Sequence, residues 1–261
     1  MLDTSVRRGA RAQSAQRDDY EYYDVTAEHR RVRPIGHKIF EGKLAMVRVT
    51  LPTDQPRRIE TAIGTIDPSD HLIASLHAAN ERYRAELGYT LVRVDLIAPA
   101  RQRLRFGAIS VLLGYRDAKR GPCCYILEAG LATGEPRMLY LSKTIAGEIE
   151  QATGYSPTPF ASPENLYMAG LTVDGEHPKL LRVSARERGL VASQCTYMEL
   201  TVRFARQRGM PSSKAPGWLL ARATGIVIAR MLRGVPVRSP ETLIPPAWRG
   251  WYRGLNERKS K

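Results

Sequence analysis

The chain has 261 residues, 43% hydrophobic and 25% charged, with forty Lys and Arg against 26 Asp and Glu, a formal net charge of +14. This composition supplies one sizeable core or two small ones and excludes a wholly disordered polyelectrolyte. The cationic surplus favours a polyanionic partner, nucleic acid or an anionic membrane surface, and because only eight basic residues are lysine, most of it sits on guanidinium forks suited to bidentate phosphate contact.

Residues 1–38 lack hydrophobic periodicity and mix charge blocks. Arg7, Arg8 and Arg11 precede Asp18, Asp19, Tyr20, Glu21, Tyr22, Tyr23 and Asp24, and Arg30, Arg31 and Arg33 follow. So little apolar surface does not offset the entropy of ordering, and the segment reads as a disordered arm. From Leu44 the pattern alternates, with Ala45, Val47, Val49 and Leu51 on one face. Ile59, Thr61 and Ile63 resume it after a proline-bounded turn, which predicts strand, loop and strand. Asp67 as N-cap, Pro68 at the first helical position and Leu72, Leu76, Ala79, Tyr83 and Leu87 at helical spacing predict a helix that Gly88 ends.

Strands are expected over 91–97, 104–113 and 123–128, the last two joined by a loop with Arg116, Lys119 and Arg120. A second helix is expected from a Ser142 cap through Ile145 and Ile149, and the three prolines within 155–163 mark a boundary. Beyond it, 166–173, 179–184 and 196–204 look extended, a helix over 190–205 being the alternative to the last. The run 218–233 reads as an apolar helix with Arg222, Arg230 and Arg233 in one sector.

The expected fold is therefore α+β, an antiparallel or mixed β-sheet core with packed helices, a disordered N-terminal arm and a basic aromatic C-terminal tail. Its parts are an arm at 1–38, a β-rich α+β domain at 39–155 and a second α+β portion at 164–261, which either stands alone or shares the first core. No apolar run of signal-peptide or membrane-spanning length is found, and the expected location is cytoplasmic or nuclear.

Chemistry-bearing motifs are sparse. His71 and His77 are six residues apart and form no zinc-binding pair, and His29, His37 and His177 have no ligand spacing around them. Cys123 and Cys124 are adjacent and Cys195 stands alone. Neighbours on a strand face opposite ways, so the pair reads as reduced core residues, not as a metal grip. Phosphate-loop, dinucleotide and nucleophile-elbow patterns are missing. Neither a metal nor a cofactor is expected, and catalysis is the less favoured class.

Two kinds of basic feature remain. One is the interstrand groups, Arg57 and Arg58, Arg101, Arg103 and Arg105, and Arg116, Lys119 and Arg120; an antiparallel sheet would bring alternate loops to one edge. The other is the C-terminal interleaving of Trp248, Arg249, Trp251, Tyr252 and Arg253, whose rings can stack on unpaired bases while the guanidinium groups meet phosphates. Together they predict a non-catalytic structural or assembly protein, with homo-oligomer formation among its expected interactions, that binds RNA or single-stranded DNA through the phosphate backbone. One alternative is a peripheral matrix-type protein bridging anionic lipid and a ribonucleoprotein. The other is an enzyme acting on an anionic substrate such as RNA, using His37 beside the neighbouring arginines.

Overall fold

The computed structural model describes residues 20–31, 37–99, 109–130, 137–152, 166–186 and 196–209. Within them the chain runs β1 (Glu21–Arg31), β2 (His37–Thr50), β3 (Ile59–Thr61), β4 (Gly64–Ile66), a 3-10 turn (Pro68–Asp70), α1 (Leu76–Leu87), β5 (Arg93–Ala98), β6 (Ile109–Tyr115) and β7 (Cys124–Gly130). It continues through β8 (Arg137–Ser142), β9 (Glu148–Ala152), β10 (Leu166–Asp174), β11 (His177–Arg186) and β12 (Thr196–Gln207).

Ten of these strands form a single sheet in the order β8-β7-β6-β5-β2-β1-β12-β11-β10-β9, and β3 and β4 make a separate hairpin. Every pairing is antiparallel. The sheet curls until its two end strands, β8 and β9, approach each other across residues 143–147, so the architecture is a nearly closed barrel.

The two-residue period of a strand explains how one sheet serves two cores. Tyr23 and Val25 of β1, Leu44 and Met46 of β2, Leu113 and Tyr115 of β6, Tyr125 of β7, Leu181 of β11 and Phe204 of β12 point inward and fill the barrel. Positions of opposite parity on β2, β5, β6 and β7, among them Val47, Val49, Leu96, Leu112 and Ile126, face outward and pack with Ile66, Ile73 and the α1 residues Ala79 and Tyr83. Strands buried on both faces lose the alternation and read as continuous apolar runs, as β6 does.

These features correct the α+β expectation. Among the described residues there is one α-helix, and it lies against the outside of an antiparallel barrel instead of building a layered core. It is also shorter than its sequence pattern predicts. Asp67 caps only the 3-10 turn, where its side chain accepts the Ser69 N–H, and α1 begins after a second cap, Ser75, whose hydroxyl accepts from Ala78. Gly88 does end the helix, in the left-handed region at φ 77°. The second expected helix is replaced by the end of β8, a turn and β9, with Ile149 pointing into the barrel.

The stretch read as an arm contains β1, which lies between β2 and β12, its Tyr23 and Val25 fully buried. Tyr23 meets Phe204 of β12 edge to face, ring centroids 6.2 Å apart. Strands before and after residue 157 thus share one sheet. The extended reading of 166–173, 179–184 and 196–204 agrees with β10, β11 and β12. The run 218–233 lies outside the described residues.

Candidate functional site at the barrel mouth

Antiparallel order sends alternate connections to the same end of the barrel. At the end where β1 begins and β12 stops, the chain leaves β2, β6, β8 and β10 and enters β5, β7, β9 and β11. This mouth carries the 51–92 excursion, the 116–123 loop, the 143–147 turn and the Gly175–Glu176 turn. Gly175 adopts φ 59°, which the tight β10–β11 reversal requires. Its carbonyl lies 3.7 Å from where a side chain on Gly121 would start, so the β6–β7 loop lies near the β10–β11 turn.

Just inside the mouth, inward-pointing charges of six elements meet. Arg48 of β2 donates from Nε to Asp95 Oδ2 of β5 at 2.9 Å, from Nη1 to Glu21 Oε2 of β1 at 2.8 Å, and from Nη2 to the Tyr115 hydroxyl at 2.8 Å and Glu176 Oε2 at 3.0 Å. Arg93 donates to Glu176 Oε2 at 2.7 Å and lays its guanidinium over the Tyr115 ring, 3.7 Å from the centroid. Thr50 donates to the other Asp95 oxygen. Arg206 of β12 donates to Glu21 Oε1 at 2.7 Å, and its Nη1 stands 3.0 Å from His177 Nε2. An arginine only donates, so His177 Nε2 is the acceptor, and the ring's Nδ1 faces Tyr23 and Glu21 at 3.2 Å each.

The electrostatics follow from this pairing. Burial works against the charge of Arg48, yet Asp95 outweighs it by attraction and hydrogen bonding, and the guanidinium is held even more firmly protonated. Burial likewise pushes the Glu21 carboxyl up, but Arg48, by attraction and hydrogen bonding, and Arg206 bring it below its ordinary value. Glu176 is lowered in the same way, burial being overcome by Arg93 and Arg48. Burial, reinforced by Glu21 and Asp95 respectively, raises the Tyr23 and Tyr115 phenols. Three arginines face three carboxylates, and the network has no surplus charge to offer a ligand. Its work is structural, tying β1, β2, β5, β6 and β12 to the β10–β11 turn.

The rim above it is different. Arg116, Lys119, Lys143, Lys179 and Arg208 are exposed there, and none has an ion-pair partner among the described residues. Arg116 lies over the Tyr89 ring at 5.3 Å, while Arg58 and Arg120 are paired with Asp67 and Asp117. The Asp117 side chain also accepts the Lys119 backbone N–H, which shapes the loop that presents the three basic side chains. The same connections also expose the acids Asp54, Glu60, Glu81, Glu86, Asp117, Glu148 and Asp174.

Of the residues singled out from the sequence, Arg116, Lys119 and Arg120 lie on the β6–β7 loop at this mouth, while Arg57 and Arg58 belong to the 51–92 excursion, which leaves from the same end and packs its hairpin and helix on the outer face of the sheet. Arg101, Arg103 and Arg105 lie outside the described residues. Trp248, Arg249, Trp251, Tyr252 and Arg253 also lie outside the described residues, as does the His37 side chain.

The Arg48 network escaped the sequence reading because its members are scattered from position 21 to 206. One signal was available: Arg48, Asp95 and Arg93 each take the inward parity of an otherwise apolar strand. The cysteine pair is unbridged and belongs to the outer core, as its apolar setting predicts, although only Cys124 lies on the strand. Cys123 precedes β7, donates its thiol to the Tyr89 hydroxyl at 3.4 Å and sits beside the buried Cys124, whose thiol burial, with Cys123 next to it, pushes up to about 12. Both cysteines are unbridged, and no group of three or more metal-ligating side chains occurs among the described residues.

No described helix is long and apolar enough to cross a membrane. Comparison with protein-family models, with curated proteins and with solved structures finds no match.

Proposed function

We propose that this protein binds single-stranded nucleic acid, RNA in the first instance, through the phosphate backbone, and that the rim of the barrel mouth is one of its contact surfaces. The observation carrying this reading is the difference of charge pairing at the mouth: interior arginines are neutralised by carboxylates, while Arg116, Lys119, Lys143, Lys179 and Arg208 are exposed and have no ion-pair partner among the described residues. The Asp117 side chain, accepting the Lys119 N–H, shapes the β6–β7 loop that presents Arg116 and Lys119, which suits a charged polymer better than a flexible basic tail does. The overall +14 charge supplies the long-range attraction.

The test is fluorescence anisotropy with a labelled oligouridylate over a salt series, on the full chain. Binding is expected to weaken linearly on a log–log salt plot. R116E/K119E/R120E is expected to bind at least ~10-fold more weakly and to lower the slope by about 2, since each single-strand phosphate contact contributes about 0.7. Affinity indifferent to salt, an unchanged triple variant, or capture by anionic vesicles with no capture of oligonucleotide would overturn the reading.

A further inference from the structure

Tyr89 stands where the 51–92 excursion returns to the sheet, and its neighbours fix it there. Gly88 before it takes the left-handed conformation at φ 77° and closes α1 with an N–H bond to the Arg84 carbonyl. Leu91 after it is gripped by Asn80, whose amide donates to the Leu91 carbonyl at 2.9 Å while its oxygen accepts the Leu91 N–H at 2.8 Å. The far end of the Tyr89 side chain is tied to the β6–β7 connection, its hydroxyl accepting from the Cys123 thiol at 3.4 Å. Cys123 is itself held, its N–H donating to the Gly114 carbonyl at 2.9 Å. The ring is therefore fixed at both ends, yet it remains partly exposed.

Arg116, the first residue after β6, lays its guanidinium over this ring, 5.3 Å from the centroid. Among the described residues three rings carry an arginine in this way, and only here can a ligand reach the pair. Tyr115 is fully buried and its Arg93 is committed to Glu176, while Tyr83 is buried as well. Tyr89 keeps accessible surface, and Arg116 is exposed with no ion-pair partner among the described residues. Its 5.3 Å contact is looser than the 3.7 Å of Arg93 on Tyr115, and such a pair at an exposed site is weakly held. Burial and the thiols of Cys123 and Cys124 beside it raise the Tyr89 phenol above its ordinary value, so the ring stays neutral where a phosphate chain would pass.

We infer that Tyr89 and Arg116 form a stacking position for an unpaired base, placed at the edge of the cationic rim. The position deepens the backbone contact proposed above, on which it rests, by giving the rim a means to tell a single strand from other polyanions. Every base has a π face that an aromatic ring or a guanidinium plane accepts whatever the sequence, whereas the bases of a duplex are already stacked on one another. Inorganic polyphosphate and anionic headgroups bring charge with nothing to stack. Lys119, three residues along the same loop, supplies charge for an adjoining phosphate.

Fluorescence anisotropy on the full chain tests this, with labelled oligoadenylate and oligouridylate as probes and inorganic polyphosphate as competitor. Tyr89→Leu is expected to weaken oligoadenylate binding at least ~5-fold and oligouridylate binding less, since purines stack more strongly, while the inhibition constant of polyphosphate stays within about twofold of the parent's. Tyr89→Phe, which keeps the ring, is expected to recover most of that loss. Arg116→Lys, which keeps the charge but not the plane, is expected to repeat part of it, and serves alone if Tyr89→Leu does not fold. Oligoadenylate affinity unchanged in Tyr89→Leu or, where it serves alone, in Arg116→Lys would overturn the stacking position, as would an equal loss for polyphosphate; the backbone contact would stand in either case. Failure of the parent protein to bind either oligonucleotide would overturn both.

Discussion

The hydroxyl of Tyr125 on β7 lies 3.1 Å from the carbonyl of Ala169 on β10, and 2.8 Å from that of Gly147 in the turn between β8 and β9. One phenol thus joins the two ends of the ten-stranded sheet across the barrel interior, where no ladder of hydrogen bonds joins them along their edges. Tyr125→Phe is expected to cost about 1–2 kcal/mol in urea unfolding, the loss of buried acceptors' donor. Amide exchange should quicken most in β9 and β10. Equal protection there in both proteins would show that the barrel is closed by other means.

Arg48 is the node of the mouth network, and Asp95 beside it is 1% exposed. Arg48→Met leaves that carboxylate without its principal partner and is expected to cost about 3–5 kcal/mol. Removing both charges in R48M/D95L should cost less than the single change. Chemical denaturation of the three proteins decides it, and a double variant less stable than R48M would mean that Thr50 and Arg93 suffice to hold Asp95.

Acid sensitivity follows from Glu21 and Glu176, whose carboxyls are both held below their ordinary value in the folded protein. A depressed carboxyl contributes stability that is complete above its unfolded value, about 4.3, and is lost as pH falls through the lower folded value. Stability should therefore be flat from about pH 7 to about pH 5 and fall below that. Glu21→Gln is expected to be less stable near neutrality and to converge on the parent as pH drops. Urea midpoints measured between about pH 3 and pH 7 provide the check; parallel curves would remove Glu21 from the explanation.

Gly114 on β6 has a packing reason to be glycine. A Cβ there would stand 2.5 Å from the Cys124 sulfur and 3.1 Å from Leu91. Gly114→Ala is expected to cost about 1–3 kcal/mol through overpacking. Cys124→Ala in the same chain should recover part of that, because it removes the nearer clash. A strictly additive double variant, by thermal or urea unfolding, would contradict the geometry.

The legible parts of the fold were those with one buried face. The alternation Leu200, Val202 and Phe204 against Glu199, Thr201 and Arg203 marks β12, and Gly88 marks the helix end. β1 obeyed the same period, Tyr23 and Val25 inward against Asp24 and Thr26, but acidic residues flank the tyrosines so densely that composition masked it. The second helix was expected because Ile145 and Ile149 are four apart, a spacing that turn and strand satisfy equally when only Ile149 is buried in full. Rim residues Arg116, Lys119 and Arg120 could be picked out as a loop cluster. The balance of Arg48 and Arg93 against Glu21, Asp95 and Glu176 could not, since it depends on register between strands far apart in the chain.

The pairing of β1 with β12 bears on how the molecule is made. Val25 sits opposite Phe204, so β1, the first of the described strands, finds one of its two neighbours only after nearly all the described chain has followed. β1 can form a hairpin with β2 early, but the exposed edge of that hairpin must wait, and contacts so distant in sequence are slow to close. During that interval Tyr23, Val25 and the free edge of β1 lie open, and edge-to-edge pairing with another chain competes with closure by β12.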